Sequence, residues 1–433
     1  MLDNGASGFS TYRVSWTLPL AYTLVQLIRV GLTLLNLRYV RVHGAEAPGV
    51  LVGELDEATL RKSQRYSVDR LQFGVVRAGL TAVILGGLLF GGGLQLYDEA
   101  ITQLRLDFVA EGVVFFVILV VLGTVLDLPF AFYATFRLEE RHGFNRMSVG
   151  LFLADVCKGL LLGGVLTALL AGGAFWLVRV APETWWLWAF LGYAGFSAVL
   201  VLVAPYVIEP LFFKTKPLDI EDLREDMRAM SQRAGVSVNQ VLEVDASRRS
   251  AHSNAYFTGI GRVKRIVLFD TLKQQLNHQE ILAIVAHELG HWKLRHISQR
   301  FLVSLGMALA GIYLAFRIVS GGQPWHWGWL DDPSFAARAV VAGLILSLFA
   351  FPFAPLFSRW SRAHEWQADT FAVGLTGRPG ALASALLKLA RGNLSGLRAH
   401  PFYESFFYSH PPLTQRIARW RAAEESAQGT RGA

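Results

Sequence analysis

With Cys157 as its only cysteine, the chain can form no internal disulfide, and that residue lies in an apolar run that argues against a thiolate nucleophile. Charge is scarce as well. Only 17% of the 433 residues are Asp, Glu, Lys or Arg, against about a quarter in ordinary soluble domains. A molecule solvated on all sides is thereby excluded. No glycine-rich phosphate loop and no internal repeat is evident. The net charge of +8 is mostly arginine in short loops between apolar runs, so nucleic acid is not an expected partner.

What is present is hydrophobic sequence, 53% of the residues with a mean hydropathy of +0.36. Seven stretches approach or exceed the roughly 20 residues that cross a bilayer: 14–37, 73–96, 108–134, 150–178, 185–213, 300–319 and 336–358. Arg29 interrupts the first and Arg317 closes the sixth. The first is too long for a signal peptide and lacks a small-residue cleavage site. Loop charge then sets an orientation. The loop from Arg38 to Arg70 carries Arg38, Arg41, Arg61, Lys62, Arg65 and Arg70, and the loop after the third span carries Arg137, Arg141 and Arg146. The alternate loops 97–107 and 179–184 hold one arginine each and 320–335 none. Basic residues stay on the cytosolic side, so the N-terminus is expected outside, the C-terminus inside, and the polar block 214–299 inside too.

His287-Glu288-Leu289-Gly290-His291 ends that block. Two histidines four apart lie one turn apart on one helix face and can share a metal, while the glutamate between them reaches a metal-bound water. Asn277 followed three residues later by Glu280 is a capping-box signature that starts a helix three turns upstream. The residues from Ile281 to Ala286 are almost wholly apolar. Two imidazoles and a carboxylate among them would be costly to bury without a partner. A catalytic zinc takes three protein ligands, and a third is needed. The helical segment after the seventh apolar run offers Glu365 as that ligand, with Asp369 one turn on to orient a histidine. His364 competes, pointing about 100° away on the same helix.

These residues, with Ser361-Arg362 and Ala368, resemble the M48 metallopeptidases, and among them the type I CAAX prenyl proteases of the Ste24 kind. Further stretches agree: Lys62-Ser63 with Tyr66 and Asp69; Glu139 to Asn145; Glu209 to Phe212; Ser253 to Phe257; and Ser409-His410-Pro411-Pro412 with Arg416. The smaller membrane proteases of the HtpX kind share the metal motifs but have fewer spans. The resemblance implies a mainly α integral-membrane fold, seven helices enclosing a water-filled chamber, with a gluzincin-type zinc peptidase domain. It implies one Zn2+ on His287, His291 and Glu365, with Glu288 as general base. It gives Asn254 and His410 a role in binding the substrate backbone or stabilising the tetrahedral intermediate, and Arg416 a supporting one. On the residues alone, Asn254 could equally shape a turn and His410 be a satisfied surface residue.

Between the fifth and sixth apolar runs, Leu223, Met227, Met230 and Ala234 recur at helical spacing, and β-prone runs occupy Gln240–Val244, Ala255–Thr258 and Arg265–Leu268. A small antiparallel sheet is expected, with Asn254-Ala255-Tyr256 as the edge that accepts an extended substrate as an added strand. Asp127, Asp155, Lys158 and Glu209, in or beside spans, are expected to face protein or water rather than lipid. Residues 41–55 and 422–433 read as irregular, and 381–391 as a helix whose Arg391, with the later Arg398, is structural. The chain divides into 1–213 (five spans), 214–299 (the first metal segment), 300–358 (two spans) and 359–433 (the third ligand and tail). The expected function is an integral-membrane zinc endopeptidase whose substrates are prenylated CAAX-type or similar peptides. A general quality-control protease is the nearest alternative, and a seven-span transporter or non-catalytic scaffold a more distant one. The arginine-rich composition points to a bacterial cytoplasmic membrane; in a eukaryote the membrane would be the endoplasmic reticulum. Oligomeric state, physiological substrate and access route are not legible.

Overall fold

The structure is a computed structural model and describes residues 15–258, 264–321 and 329–429. The chain begins with α1 (Thr17–His43) and α2 (Glu57–Phe90), a short α3 (Gly93–Thr102), then α4 (Phe108–Tyr133), α5 (Val149–Val180), α6 (Trp185–Val207) and the single turn α7 (Glu209–Phe212). The catalytic-side block follows: β1 (Thr215–Pro217), α8 (Glu221–Arg233), β2 (Gln240–Val244), β3 (Ala255–Thr258), β4 (Arg265–Phe269), α9 (Asp270–Gln275) and α10 (His278–Lys293). After it come α11 (His296–Ser320), α12 (Phe335–Ala350), α13 (Ala354–Thr376), α14 (Pro379–Gly392), α15 (Pro401–Phe407) and α16 (Leu413–Gly429).

Seven helices are long and apolar enough to cross a membrane, at the seven places hydropathy marks. They run further than their apolar cores. α1 continues to His43, and α2 begins at Glu57, where the Asp56 side chain accepts a hydrogen bond from Thr59 N. Arg61, Lys62, Arg65 and Arg70 therefore ride on a helix, and the intervening loop shrinks to about a dozen residues. That segment is not irregular throughout, because Leu51 and Leu55 plug the core of the catalytic block. The tail differs in the same way: α16 continues to Gly429, with Ile417 and Trp420 buried and only 430–433 outside the described residues. α13 does not follow α12 without a break. A 3-10 turn at Phe351–Phe353 joins them, where Pro352 and Pro355 supply no N–H to continue an α-helical ladder.

The sheet order is β1-β2-β4-β3, and the sheet is mixed. β3 on β4 is antiparallel as expected; β1, in a stretch that read as part of a helix, adds an unexpected antiparallel strand on β2, and β2 and β4 run parallel. Apolarity explains the departure. β4 is buried along Arg265–Leu268, which favours a central position, so it inserts between β2 and the less buried β3. β3 is left at the edge. The ionisable groups in or near the spans find protein partners: Asp127 pairs with Arg77, Asp155 accepts from Arg249 Nε at 2.9 Å, Lys158 Nζ donates to Leu211 O at 2.8 Å, and Glu209 accepts from Tyr256 OH at 2.9 Å. The block's core gathers α8, β2, β4, α9, α10, α14 and α16 into one apolar cluster. Interior space remains between this block and the spans, in adjoining cavities of about 540, 720 and 350 Å3.

Candidate active site

α10 is fixed at its start by a complete capping box. Asn277 accepts from Glu280 N while Glu280 accepts from Asn277 N, and Glu280 is further held by Lys388 and Ser384 of α14. Ile281, Ala283, Val285, Ala286 and Leu289 bury the helix in the core, which turns His287 and His291 toward α13. Gly290 lets the two helices meet. A Cβ there would lie 3.0 Å from Ala368 Cα, so a larger residue would push apart the helices that carry the site.

The side chains converge on a small triangle. The Nε2 atoms of His287 and His291 are 3.2 Å apart, and each lies 3.4 Å from an oxygen of Glu365, Oε2 for His287 and Oε1 for His291. A tetrahedral zinc with ligand bonds of about 2.0–2.1 Å spaces its ligand atoms about 3.3 Å apart, so this donor set fits that ion. Glu365 is 2% exposed, and its Oε2 has no hydrogen-bond partner among the described residues. A buried carboxylate oxygen left unsatisfied is costly, and a cation is the partner that relieves it. His364 turns away from this triangle. It stacks on His296 with ring centroids 4.0 Å apart and packs edge-on against Trp360.

Outer hydrogen bonds fix which nitrogen of each histidine is free. Asp369 can only accept as a carboxylate, so His287 donates from Nδ1, at 2.8 Å, and its Nε2 lone pair faces the triangle. Asp369 is in turn held by Arg416, with Nε at 2.7 Å, and by Trp420 Nε1 at 3.3 Å. On the other side, His296 Nε2 donates to Gln367 Oε1 at 2.8 Å, which leaves its Nδ1 to accept from His291 Nδ1 at 3.1 Å. His291 then also presents its Nε2 lone pair inward. His296 was legible only as a histidine five residues past the motif, and Trp420 carried no signal at all.

Burial opposes a charge on His287, yet its hydrogen bond to Asp369 and the Glu365 carboxylate beside it outweigh that and push its pKa up to about 9. His291 is buried and lies beside His287, and both effects hold it down at about 3. The half-buried Glu288, on the same helix, is raised chiefly by burial.

Family models match almost the whole chain: a CAAX prenyl protease N-terminal region with five membrane helices over residues 36–214, and peptidase family M48 over residues 217–424. The chain belongs to peptidase family M48. It is 34% identical over 387 residues to the CAAX prenyl protease 1 homolog of Arabidopsis thaliana, covering 86% of this chain and 89% of that protein. To CAAX prenyl protease 1 of Saccharomyces cerevisiae it is 30% identical, covering 88% and 89%. The crystal structure of S. mikatae Ste24p superposes with a TM-score of 0.87 at 26% identity, covering 94% of this chain and 99% of the other. The seven-span architecture and the peptidase chemistry are therefore those of an M48 membrane metallopeptidase.

Two further residues of this M48 peptidase stand differently toward the triangle. His410, exposed beside Pro411 and Pro412, has its Nε2 3.5 Å from Glu365 Oε2 and its Nδ1 2.9 Å from Ser409 Oγ. Asn254 precedes the edge strand β3. Its side-chain oxygen accepts from Ala255 N at 2.8 Å, its carbonyl accepts from Phe269 N, and it lines the 720 Å3 cavity. Among the described residues it makes no contact with the three metal-facing side chains. Ala255 and Tyr256 continue β3, paired on one side with β4 and, among the described residues, free of a strand on the other. Arg300, on α11, comes within 3.9 Å of Glu365 Oε1 and donates to Ser361.

Proposed function

We propose that this M48 peptidase is an integral-membrane zinc endopeptidase that removes the C-terminal residues of prenylated CAAX-type peptides on the cytosolic side of the bilayer. The triangle of His287, His291 and Glu365, with edges of 3.2, 3.4 and 3.4 Å, is the observation that carries the reading. His287, His291 and Glu365 would hold a zinc ion, which would supply an acidified water and polarise a carbonyl. Glu288 takes the proton of the attacking water and returns it to the leaving amine. His410, and Asn254 at the head of β3, are the donors to the oxygen on which negative charge develops. Asp369 and Arg416 hold His287 in the tautomer that leaves Nε2 free. The Ala255-Tyr256 edge takes the substrate as an added strand, so specificity falls to the chamber rather than to backbone bonds. The excess of arginine in alternate loops supports an N-terminus outside and a C-terminus in the cytosol. Segments 1–213 and 300–358 serve as the membrane part, and 214–299 and 359–433 as the two halves of the catalytic part. The names of the relatives support the CAAX substrate over a general quality-control role.

The test is cleavage of a farnesylated CAAX peptide by detergent-purified protein. Cleavage after the modified cysteine should vanish with a chelator. Glu288→Gln should lower it about 10²- to 10⁴-fold while bound zinc stays stoichiometric. Cleavage that survives either treatment would overturn the assignment.

A further inference from the structure

Three cavities meet at one side chain. Arg70, on α2, lines the 540 Å3 cavity beneath α1 and α2, the 720 Å3 cavity that reaches Asn254, and the 350 Å3 cavity that reaches His410. The first and second also share Tyr66, His252 and Asn393, and the first and third share Ser395, Gly396 and Tyr408, so the three adjoin one another. His410 stands 3.5 Å from Glu365, at the edge of the metal triangle. Arg70 thus lines the same cavity as His410, beside the site where a peptide bond would be cut.

Other arginines on these walls are engaged. Arg249 forks onto Asp155, and Arg398 donates to Glu46 O and lies 3.9 Å from the Glu46 carboxylate. Arg70 has no carboxylate partner among the described residues; its guanidinium lies 5.4 Å from the centroid of the Tyr66 ring. The 540 Å3 cavity is lined by Arg70 and Arg398 and by no Asp or Glu. The neighbouring cavities each contain a carboxylate, Glu139 and Glu404. Glu139 already accepts from Tyr66 OH at 2.8 Å and faces His252 at 3.3 Å. An anion entering this space is therefore directed past Glu404 toward Arg70.

We propose that Arg70 is the specificity-determining residue that binds the free C-terminal carboxylate of the peptide substrate, with the 540 Å3 cavity as its receptor. The inference rests on the peptidase reading above and deepens it. A guanidinium grips a carboxylate through two parallel hydrogen bonds, which fixes the position of the terminus as well as its charge. Three extended residues span at most about 10–11 Å. Anchoring the terminus at Arg70 sets how many residues lie between it and the scissile bond, and so makes the enzyme count from the C-terminus. A peptide continuing past that point would place an uncharged amide against the guanidinium and leave Arg70 without a counter-charge.

The test compares a farnesylated peptide ending in a free carboxylate with its C-terminal amide twin, using the full-length protein in detergent. The wild type should show a KM about 10- to 100-fold higher for the amide, with kcat little changed, as the loss of a charge-assisted hydrogen bond predicts. Arg70→Ala should raise KM for the acid by a similar factor and erase the difference between acid and amide, while Arg70→Lys keeps part of it. Zinc content and thermal midpoint of each variant report folding, and the wild-type acid-to-amide ratio needs no variant. Equal cleavage of acid and amide by the wild type overturns the inference and leaves the peptidase standing, as does an Arg70→Ala protein that still discriminates. A wild type that cleaves neither peptide overturns the functional reading, and this inference falls with it.

Discussion

The catalytic block and the membrane spans use the same apolar residue types toward opposite ends. In the block, Val285, Ala286 and Leu289 of α10 are fully buried in the core cluster that α8, β2, β4, α14 and α16 also build. In the spans, Leu161 of α5 is 71% exposed and Val83 of α2 is 74% exposed. No more than 17% of the most apolar window of any span is buried within the chain. The block is stabilised by removing its own apolar surface from water, whereas the spans present theirs to lipid and use protein contacts for their polar groups. A site that must hold three donor atoms within a few tenths of an ångström belongs to the first kind of region, where packing leaves no slack.

Substitutions that remove equal chemistry from the two regions should separate them. Asp369→Ala should have the largest effect. It leaves the Arg416 guanidinium buried without its carboxylate and costs about 3–5 kcal/mol, and zinc affinity should fall about 10- to 100-fold as His287 loses its orienting acceptor. Thermal denaturation and zinc titration in detergent would report both. An unaltered protein would mean that the block tolerates disorder as the spans do. Leu289→Ala should cost about 2–5 kcal/mol, as a deletion in a packed core does, while Leu161→Ala on the lipid face should stay within about 0.5 kcal/mol. Equal losses would erase the distinction.

The pH dependence of zinc binding tests the block's electrostatics. A proton and a cation compete for His287, whose pKa is raised to about 9, so apparent zinc affinity should weaken by about tenfold per pH unit as pH falls below that value. His291, held at about 3, contributes no such slope above pH 4. A second proton released per zinc near neutral pH would contradict that difference between the two imidazoles. Smallest of all, Asn277→Ala should cost about 1 kcal/mol by removing one half of the capping box at the start of α10, measurable as a lowered thermal midpoint with activity retained.

Much of this could be read without coordinates because it is local. The seven spans follow from runs of apolar residues, the α10 start from Asn277 and Glu280, and the shared face of His287 and His291 from a spacing of four. Where inference stopped, the missing quantity was long-range. Nothing local in Gln240–Val244, Ala255–Thr258 and Arg265–Phe269 states that the last strand would insert between the other two, because strand order is decided by which strand can be buried on both sides. Residues 41–55 read as linker because Leu51 and Leu55 acquire their role only against a core formed about two hundred residues later.

The sequence by itself determined the medium each segment occupies and the chemistry it can offer, since hydropathy, capping and the period of a helix are properties of neighbouring residues. Only the tertiary structure decided the site. It recruited His296, Gln367 and Trp420 to hold the donors, and set Arg70 over the Tyr66 ring with no salt-bridged carboxylate among the described residues. Those outcomes depend on side chains brought together from distant parts of the chain, and distance in space is set by packing rather than by order in sequence.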